Sequence, residues 1–450
     1  MTIPFVRAGH ESHDTLTEAG SAERFVRLHG DDVRFDYTRR HWLRWEHHRF
    51  RRDADAGVMR QALAFARDWQ EEALAIADYE QKDAVIRHAL RLERRDALEN
   101  MLALAKTLKP VADDGQTWDR DPMLLGVVNG VVDLRTGTHR PGRRDDRVTL
   151  QTNVAFDPTE SCRRWRRFLD EVFEPHPEVV PFLQRAIGYS LTAAIDEQCL
   201  FVLHGTGANG KTTLLQTMKY VLGDYALNTP FTTVEMHQRS GIPNDVAALV
   251  SRRFVMASET NDGTRLNESR VKALTGGDSI SARFLHAEWF TFEPVAKFWL
   301  AVNHKPVVRD DSHGFWRRIR LVPFERAFAP CPSLSAELRD EGCGILAWAV
   351  RGCLDWQRHG LQPPAVVLDA TKSYEAESDP LRPFLDEQCE LVAGAIVRAS
   401  DLYEIYRRWT EKNGLERERL TSTAFGRKLK ERVAWDRDAH GTFYRGIARR

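Results

Sequence analysis

Through residues 16–108, apolar side chains recur at steps of three and four: Ile86 and Leu90, then Leu98, Met101, Leu102 and Ala105. That period predicts helices with one buried stripe, and the Arg- and Glu-crowded faces between are read as solvated surface. Residues 1–15 are polar and predict a flexible end, and residues 111–115 read as a loop. The pattern then changes. Apolar runs at residues 124–128 and 131–134 flank Asn129-Gly130, the signature of a hairpin with a two-residue type I′ turn. Residues 143–147 form a charged link, and residues 165–194 return to the helical period.

From residue 199 to 326 short apolar runs alternate with helical and turn-rich sequence, the mark of an α/β layer. Strands are predicted at residues 199–204, 253–258, 297–302 and 319–324. A helix follows around 345–359, and Pro363-Pro364 marks a linker. The last part of the chain predicts helices at 400–413 and 422–433 and a hairpin through 441–447. The expected organisation is therefore a flexible end (1–15), a helical N-terminal region (16–110), and a hairpin with a helical lead-in (111–195). An α/β core (196–330), a helical segment with linker (331–380) and a small C-terminal domain (381–450) complete it.

Charge and cysteine usage narrow the class. The 65 basic and 65 acidic residues cancel, so any surface for nucleic acid has to be local. Six cysteines without C-x-x-C spacing indicate neither a zinc site nor a disulfide framework, which points to a reducing cytosol. No run approaches the roughly eighteen apolar residues of a membrane span, so no membrane partner is expected.

The chemistry concentrates at Phe201-Val202-Leu203-His204, an apolar strand leading into Gly205-Thr206-Gly207-Ala208-Asn209-Gly210-Lys211-Thr212-Thr213. This is the G-x-x-x-x-G-K-[ST] phosphate loop. Glycines let backbone amides turn toward phosphate oxygens, Lys211 reaches the β/γ-phosphates, and the Thr212 hydroxyl serves Mg²⁺. Leu214, Met218 and Leu222 supply the helix that must follow. ATP with Mg²⁺ is the expected cofactor pair. Forty-eight residues beyond Lys211, an apolar strand ends in Glu259, where hydrolysis needs a carboxylate to polarise water and help hold the metal. A second strand ends in Asn303, a neutral group suited to the γ-phosphate or the lytic water. Arg317 and Arg318 follow, and arginine suits bidentate stabilisation of phosphoryl charge, as a finger when it enters from a neighbouring subunit. Taken singly, Glu259 also reads as a strand-end surface charge, Asn303 as a turn residue and the arginines as a basic edge.

Together with Thr275-Gly276-Gly277-Asp278, Phe292-x-Pro294, Ala301-x-Asn303-x-Lys305-Pro306 and Trp316-Arg317-Arg318, these residues resemble superfamily 3 helicases. The phage and plasmid primase-helicase family, which includes poxvirus primase-helicases, is the nearest kin by motif. The resemblance covers roughly residues 160–330, with weaker similarity from Leu16 onward and in the last seventy residues. It implies an AAA+-like core forming a ring, hexameric in this family, on single-stranded and forked DNA. Lys211 and Thr212 match Walker A, Glu259 Walker B, Asn303 sensor 1, and Arg317 or Arg318 the finger. Many relatives carry an acidic pair at Walker B, whereas Ser258 precedes Glu259 here, which leaves more of the metal to Thr212. In the DNA-reaching hairpin, Arg283 and His286 stand where a Lys-His tip is common, although His286 also reads as a core histidine. Lys272 is a further DNA candidate. The larger relatives carry an upstream primase domain for which no room is expected here, so a separate primase or other replication proteins are implied partners. Asp53-x-Asp55 and Asp119-x-Asp121 have polymerase-like spacing, but such pairs are common by chance in loops and predict no priming.

Residues 398–450 hold fourteen Lys/Arg against eight Asp/Glu. Helix, capped helix and hairpin there resemble a winged helix, with Phe425, Leu429 and Val433 facing its core. Arg427, Lys428, Lys430 and Arg432 are candidates to neutralise DNA phosphates, against the alternative of a solubilising basic face. The sequence thus predicts an α/β protein: a P-loop AAA+-like ATPase core, an α-rich N-terminal domain and a C-terminal winged helix. Its expected role is ATP-driven DNA unwinding, 3′–5′ by family resemblance, for a phage, prophage or mobile element in a bacterial host cytoplasm. An origin-binding initiator that uses ATP as an assembly switch, or a packaging or remodelling ATPase, are the rivals.

Overall fold

A computed structural model describes residues 5–7, 10–236, 244–258, 263–283, 289–310, 312–416, 419–439 and 441–450. Its centre is a sheet of five parallel strands: Leu200–His204, Ala226–Asn228, Phe254–Ser258, Lys297–Val302 and Ile319–Pro323. Numbered in that order they lie 2-3-4-1-5, so the phosphate-loop strand sits between the fourth and the fifth. Alternate residues serve opposite faces. Phe201, Leu203, Phe254, Met256 and Trp299 join one core, while Leu200, Val202, Val255, Phe298 and Leu300 join the other. Burial on both faces accounts for the unbroken apolar runs in the sequence. On the first face the Phe201 and Trp299 rings stack at 4.1 Å and Trp299 and Phe254 at 5.5 Å. The Trp299 indole donates to Ser190 Oγ at 3.2 Å, tying this ladder to the helix Val179–Ser190.

Four of the five strands lie where the apolar runs predict them, within a residue at each end. The fifth, Ala226–Asn228, is only three residues long and carries too little pattern to be read. The expected helix over 165–194 is two helices, Arg163–Val172 and Val179–Ser190, separated by Pro177 and its turn. The segment taken as a linker after Pro363-Pro364 is the helix Ala365–Glu377, which lies along the last strand. There the Leu321 amide donates to Thr371 Oγ1 at 3.0 Å.

The N-terminal region has the expected helices, Glu18–His29, Gly57–Ala73, Tyr79–Leu92 and Arg95–Ala105, around Phe25, Phe65, Trp69 and Met101. It also holds an antiparallel meander, Val33–Asp36, His41–Glu46 and Arg49–Arg52, which corrects the mostly helical expectation. Val33-Arg34-Phe35-Asp36 and Arg49-Phe50-Arg51 do alternate, but in strands of only four residues, and the adjacent Trp42 and Leu43 break the alternation in the strand between them. The predicted hairpin forms, but Val127 pairs with Gly130, so its turn residues are Val128 and Asn129. Neither has positive φ, which excludes a type I′ turn. Asn129 is instead held by Phe156: its amide donates to the Phe156 carbonyl at 3.0 Å, and its oxygen accepts the Phe156 N–H at 2.9 Å. Asp53 caps the helix Gly57–Ala73 by accepting the Gly57 and Val58 amides, and Asp119 accepts those of Thr149 and Leu150. The two D-x-D pairs are thus occupied in turns.

C-terminal to the sheet, the helix Gly342–His359 packs against Val179–Ser190 at very short range. A Cβ on Gly352 would stand 2.0 Å from the Gln184 carbonyl oxygen, and one on Gly188 would stand 2.1 Å from the Cys353 nitrogen. The last domain reads helix Arg382–Gln388, strand Cys389–Arg398, helices Ala399–Lys412 and Ser422–Lys430, then strands Ala434–Asp438 and Gly441–Arg449. Its three strands form one antiparallel sheet with Gly441–Arg449 in the middle. The whole is a mixed α/β molecule, and among the described residues no helix is long and apolar enough to cross a membrane.

The helix contact generates a stability prediction. Gly352→Ala gains about 1 kcal/mol of helix propensity but forces two backbones apart, so chemical denaturation should show a net loss of about 2–3 kcal/mol. A gain in stability would contradict the close packing.

Candidate nucleotide site

The site forms where the central strand Leu200–His204 ends and the helix Lys211–Leu222 begins. His204 pairs with Val302, so the loop from Gly205 onward starts beside Asn303. Backbone conformation explains the loop's residues. Gly207 and Gly210 sit at φ 109° and 89°, which favour glycine, and Ala208 at φ 50°. A Cβ on Gly205 would lie 2.2 Å from both the Asn209 amide nitrogen and the Phe324 carbonyl oxygen. The loop is laced to the segment after the last strand: Asn209 Nδ2 donates to the Phe324 carbonyl at 3.1 Å and the Phe328 amide to the Ala208 carbonyl at 2.8 Å. No side chain caps the helix, so its first amides remain available to an anion.

Lys211 is buried with 5% of its surface exposed. Its ammonium donates to the Gly205 carbonyl at 2.6 Å, Asn209 Oδ1 at 2.9 Å and Asn303 Oδ1 at 3.2 Å. All three acceptors are neutral. Burial lowers its pKa from 10.5 to about 8. Nearby, His204 is held below the usual histidine range by burial and by the Lys305 and Lys211 charges. Lys305 pairs with Glu377. Neither His204 nor Lys305 is among the sequence candidates. His204 directly precedes the phosphate loop and Lys305 stands within the Ala301–Pro306 motif, and those positions are the available signal.

The strand Phe254–Ser258 ends level with this site, Ser258 pairing with Ala301. Glu259, next in the chain, lies outside the described residues, as does His286. Arg283 is exposed beside the short hairpin Ile280–Ala282 with Phe290–Phe292, its guanidinium 5.3 Å from the Trp289 ring centre. Lys272 is not an open cation, because its ammonium bridges Asp310 Oδ2 at 2.5 Å and Ser312 Oγ at 3.0 Å.

Arg317 and Arg318 precede the strand Ile319–Pro323 at the opposite end of the sheet from the loop. At about 3.3 Å per residue the separation is roughly 20 Å, beyond the reach of an arginine side chain within one chain. Arg317 Nη2 donates to Gln198 Oε1 at 2.5 Å, and Arg318 Nε to Thr275 Oγ1 at 3.2 Å. Burial and the neighbouring Arg317 charge lower the Arg318 pKa. The four C-terminal cations have separate fates. Arg427 is exposed and Lys428 is buried. Lys430 lies 4.0 Å above the Trp435 ring, and Arg432 pairs with Asp379.

Comparison with known proteins adds the lineage. Residues 22–174 match the family model described as D5 N terminal like, and residues 203–318 match a family of unknown function (DUF5906). Residues 376–436 match the model described as Poxvirus D5 protein-like. A protein of Acanthamoeba polyphaga mimivirus named "Putative helicase L207/L206" is 27% identical over 66% of this chain and 34% of its own length. Frog virus 3 has a relative, "Putative helicase 022R", at 25% identity over 72% of this chain and 42% of the relative. African swine fever virus has "Putative primase C962R", at 28% over 50% of this chain and 24% of the relative. The chain therefore spans less than half the length of each. Among solved structures, "The A form apo structure of NrS-1 C terminal region-CTR" aligns with 79% of this chain and 74% of its own at 12% identity and TM-score 0.48. With a D5 N terminal like segment before the phosphate loop and a Poxvirus D5 protein-like segment after it, the chain is similar to the primase-helicases related to poxvirus D5.

Proposed function

We propose that this chain carries the motor of an ATP-driven, ring-forming DNA helicase of the superfamily 3 kind, moving 3′–5′, with an AAA+-like core and a C-terminal winged helix. The observation that carries the proposal is the meeting of Lys211 and Asn303 at the ends of adjacent parallel strands, beside an uncapped helix N-terminus. The strand order 2-3-4-1-5 is in keeping with an AAA+-like core, and the helicase names of the viral relatives agree with the function. The helix–strand–helix–helix–hairpin order of residues 382–449 supports the winged-helix assignment.

The chemistry follows from what each group faces. Lys211 has only neutral acceptors, so phosphate oxygens can replace them and gain a full ionic interaction in a desolvated site. Loop amides and the helix dipole add to this. The Thr212 hydroxyl would hold Mg²⁺, which when bound neutralises charge across the β- and γ-phosphates. Asn303 offers a neutral hydrogen bond to the γ-phosphate or the water. Glu259 is assigned to polarising that water. Arg317 and Arg318, too distant within one chain, are assigned as the finger for a neighbouring subunit's nucleotide. That heterologous contact closes a ring by rotation.

Two outcomes are expected. Nucleotide affinity should fall as pH rises through about 8, because the Lys211 ammonium then loses its proton. Stability of the free protein should move the other way. Lys211 has a folded pKa below its unfolded one, so the unfolded chain binds more protons between about 8 and 10.5, and stability rises across that window. Binding titrations and denaturation at several pH values check both. Lys211→Arg should flatten the affinity profile, and an equal decline in that variant would assign the titration to another group.

The finger assignment is tested by mixing inactive subunits. Arg317→Ala/Arg318→Ala protein and Lys211→Ala protein should each lack ATPase activity, and mixing them should restore part of it. A mixed interface can pair an intact loop with an intact arginine. No recovery in mixtures shown by light scattering to be co-assembled would remove the finger role.

A further inference from the structure

One helix is fastened at its C-terminal end to both the nucleotide site and the C-terminal domain. Two residues beyond Asn303, Lys305 Nζ reaches the two carboxylate oxygens of Glu377 at 2.8 and 2.7 Å. The Tyr374 hydroxyl donates to the Pro306 carbonyl. Both Tyr374 and Glu377 belong to the helix Ala365–Glu377. Just past that helix, the Asp379 carboxylate accepts both terminal nitrogens of Arg432 at 2.5 and 2.8 Å. Arg432 follows the helix Ser422–Lys430 in the C-terminal domain.

Beside these ion pairs the end of the helix borders two clefts. A cavity of about 190 Å³, lined by Asp310, Trp316, Glu375, Asp379 and Arg432, lies on one side of the helix end. Another of about 510 Å³, lined by Ser373, Glu377, Arg382 and Asp386, lies on the other. The Asp379 and Arg432 side chains are 16% and 28% exposed, whereas Glu377 is 55% exposed against 24% for Lys305, so salt screens the Lys305–Glu377 pair more than the Asp379–Arg432 pair. Burial pushes the Glu377 carboxyl up, but its bonds from Lys305 and Ser373 outweigh that and hold it below the usual range.

We infer that Lys305–Glu377 and Asp379–Arg432 form a relay that couples occupancy of the nucleotide site to the posture of the C-terminal domain, so that DNA on that domain alters nucleotide affinity in return. The inference rests on the reading of Lys211 and Asn303 as phosphate contacts. A phosphate that takes Asn303 from Lys211 shifts the segment carrying Lys305 and Pro306, and both residues pull on the helix. At the far end, Arg432 has two alternative anions: the Asp379 carboxylate, or a DNA phosphate that would release it. Lys305 and Glu377 act as positioning residues and contact neither ligand.

The test is a linkage measurement on the full chain, with a fluorescent non-hydrolysable ATP analogue and a DNA duplex as probes. In the wild type each ligand should change the Kd of the other by the same factor, about fivefold or more. Glu377→Gln and Asp379→Asn should each bring that factor close to one. Glu377→Gln should leave the Kd for either ligand alone within about twofold, and Asp379→Asn should leave that of the analogue so while tightening DNA binding, because Arg432 is then free for a phosphate. The exchanged pair Lys305→Glu/Glu377→Lys should recover the coupling, which a general loss of structure would not allow. A wild-type factor of one, or an unchanged factor in both single variants, overturns the relay alone. A wild type that does not bind the analogue at all overturns the phosphate-site reading and the relay with it.

Discussion

The arrangement of the central sheet turns on one buried ammonium. Lys211 stands at the start of a helix, in the seam between two parallel strands, bonded to three neutral oxygens from the loop and from Asn303. A lysine in that position costs desolvation that neutral acceptors repay only in part, which is why its proton is loosely held. Much of the surrounding structure keeps these oxygens in place. The Phe201–Trp299–Phe254 ring ladder fixes the strands, and the lacing of Asn209 and Phe328 to the segment after the last strand fixes the loop. An anion that supplies full charge to Lys211 would relieve the shortfall, as the proposed phosphate role requires.

The parallel direction of the strands gives the sheet two chemically distinct ends. The loop and Asn303 occupy the C-terminal ends, and Arg317 and Arg318 occupy the other. On the proposed reading these are the two halves of a phosphoryl-transfer site that one chain cannot bring together, and repetition around a ring would unite them. The ion pairs of Lys305 and Asp379 extend the same logic outward, linking the loop end of the sheet to the domain that carries Arg427 and Lys430.

Much of this was legible in the sequence because the buried strands are short apolar runs and the phosphate loop is a dense local motif. The strands of the sheet were found wherever five or six residues are buried on both faces, and lost where Ala226–Asn228 offers three. The N-terminal meander is hard to read because its strands are four to six residues long, too short for their alternation to stand out beside the longer helical periods around them. Asn129-Gly130 suggested one turn, but tertiary hydrogen bonds to Phe156 selected another. Partners of long cations were not legible at all. Lys272, Lys430 and Arg432 look equally free in the sequence, and each is engaged by a group far away in the chain or across a turn. Local pattern carries the scaffold, whereas side-chain pairing depends on the completed fold.

The central claim, that phosphate held at Lys211 drives strand separation, is tested most directly by unwinding of a forked DNA with a single-stranded tail. The account predicts strand separation with ATP and Mg²⁺, none with a non-hydrolysable analogue, and none for Lys211→Ala. Separation that persists in Lys211→Ala, or robust DNA-stimulated hydrolysis by the wild type without any separation, would contradict it.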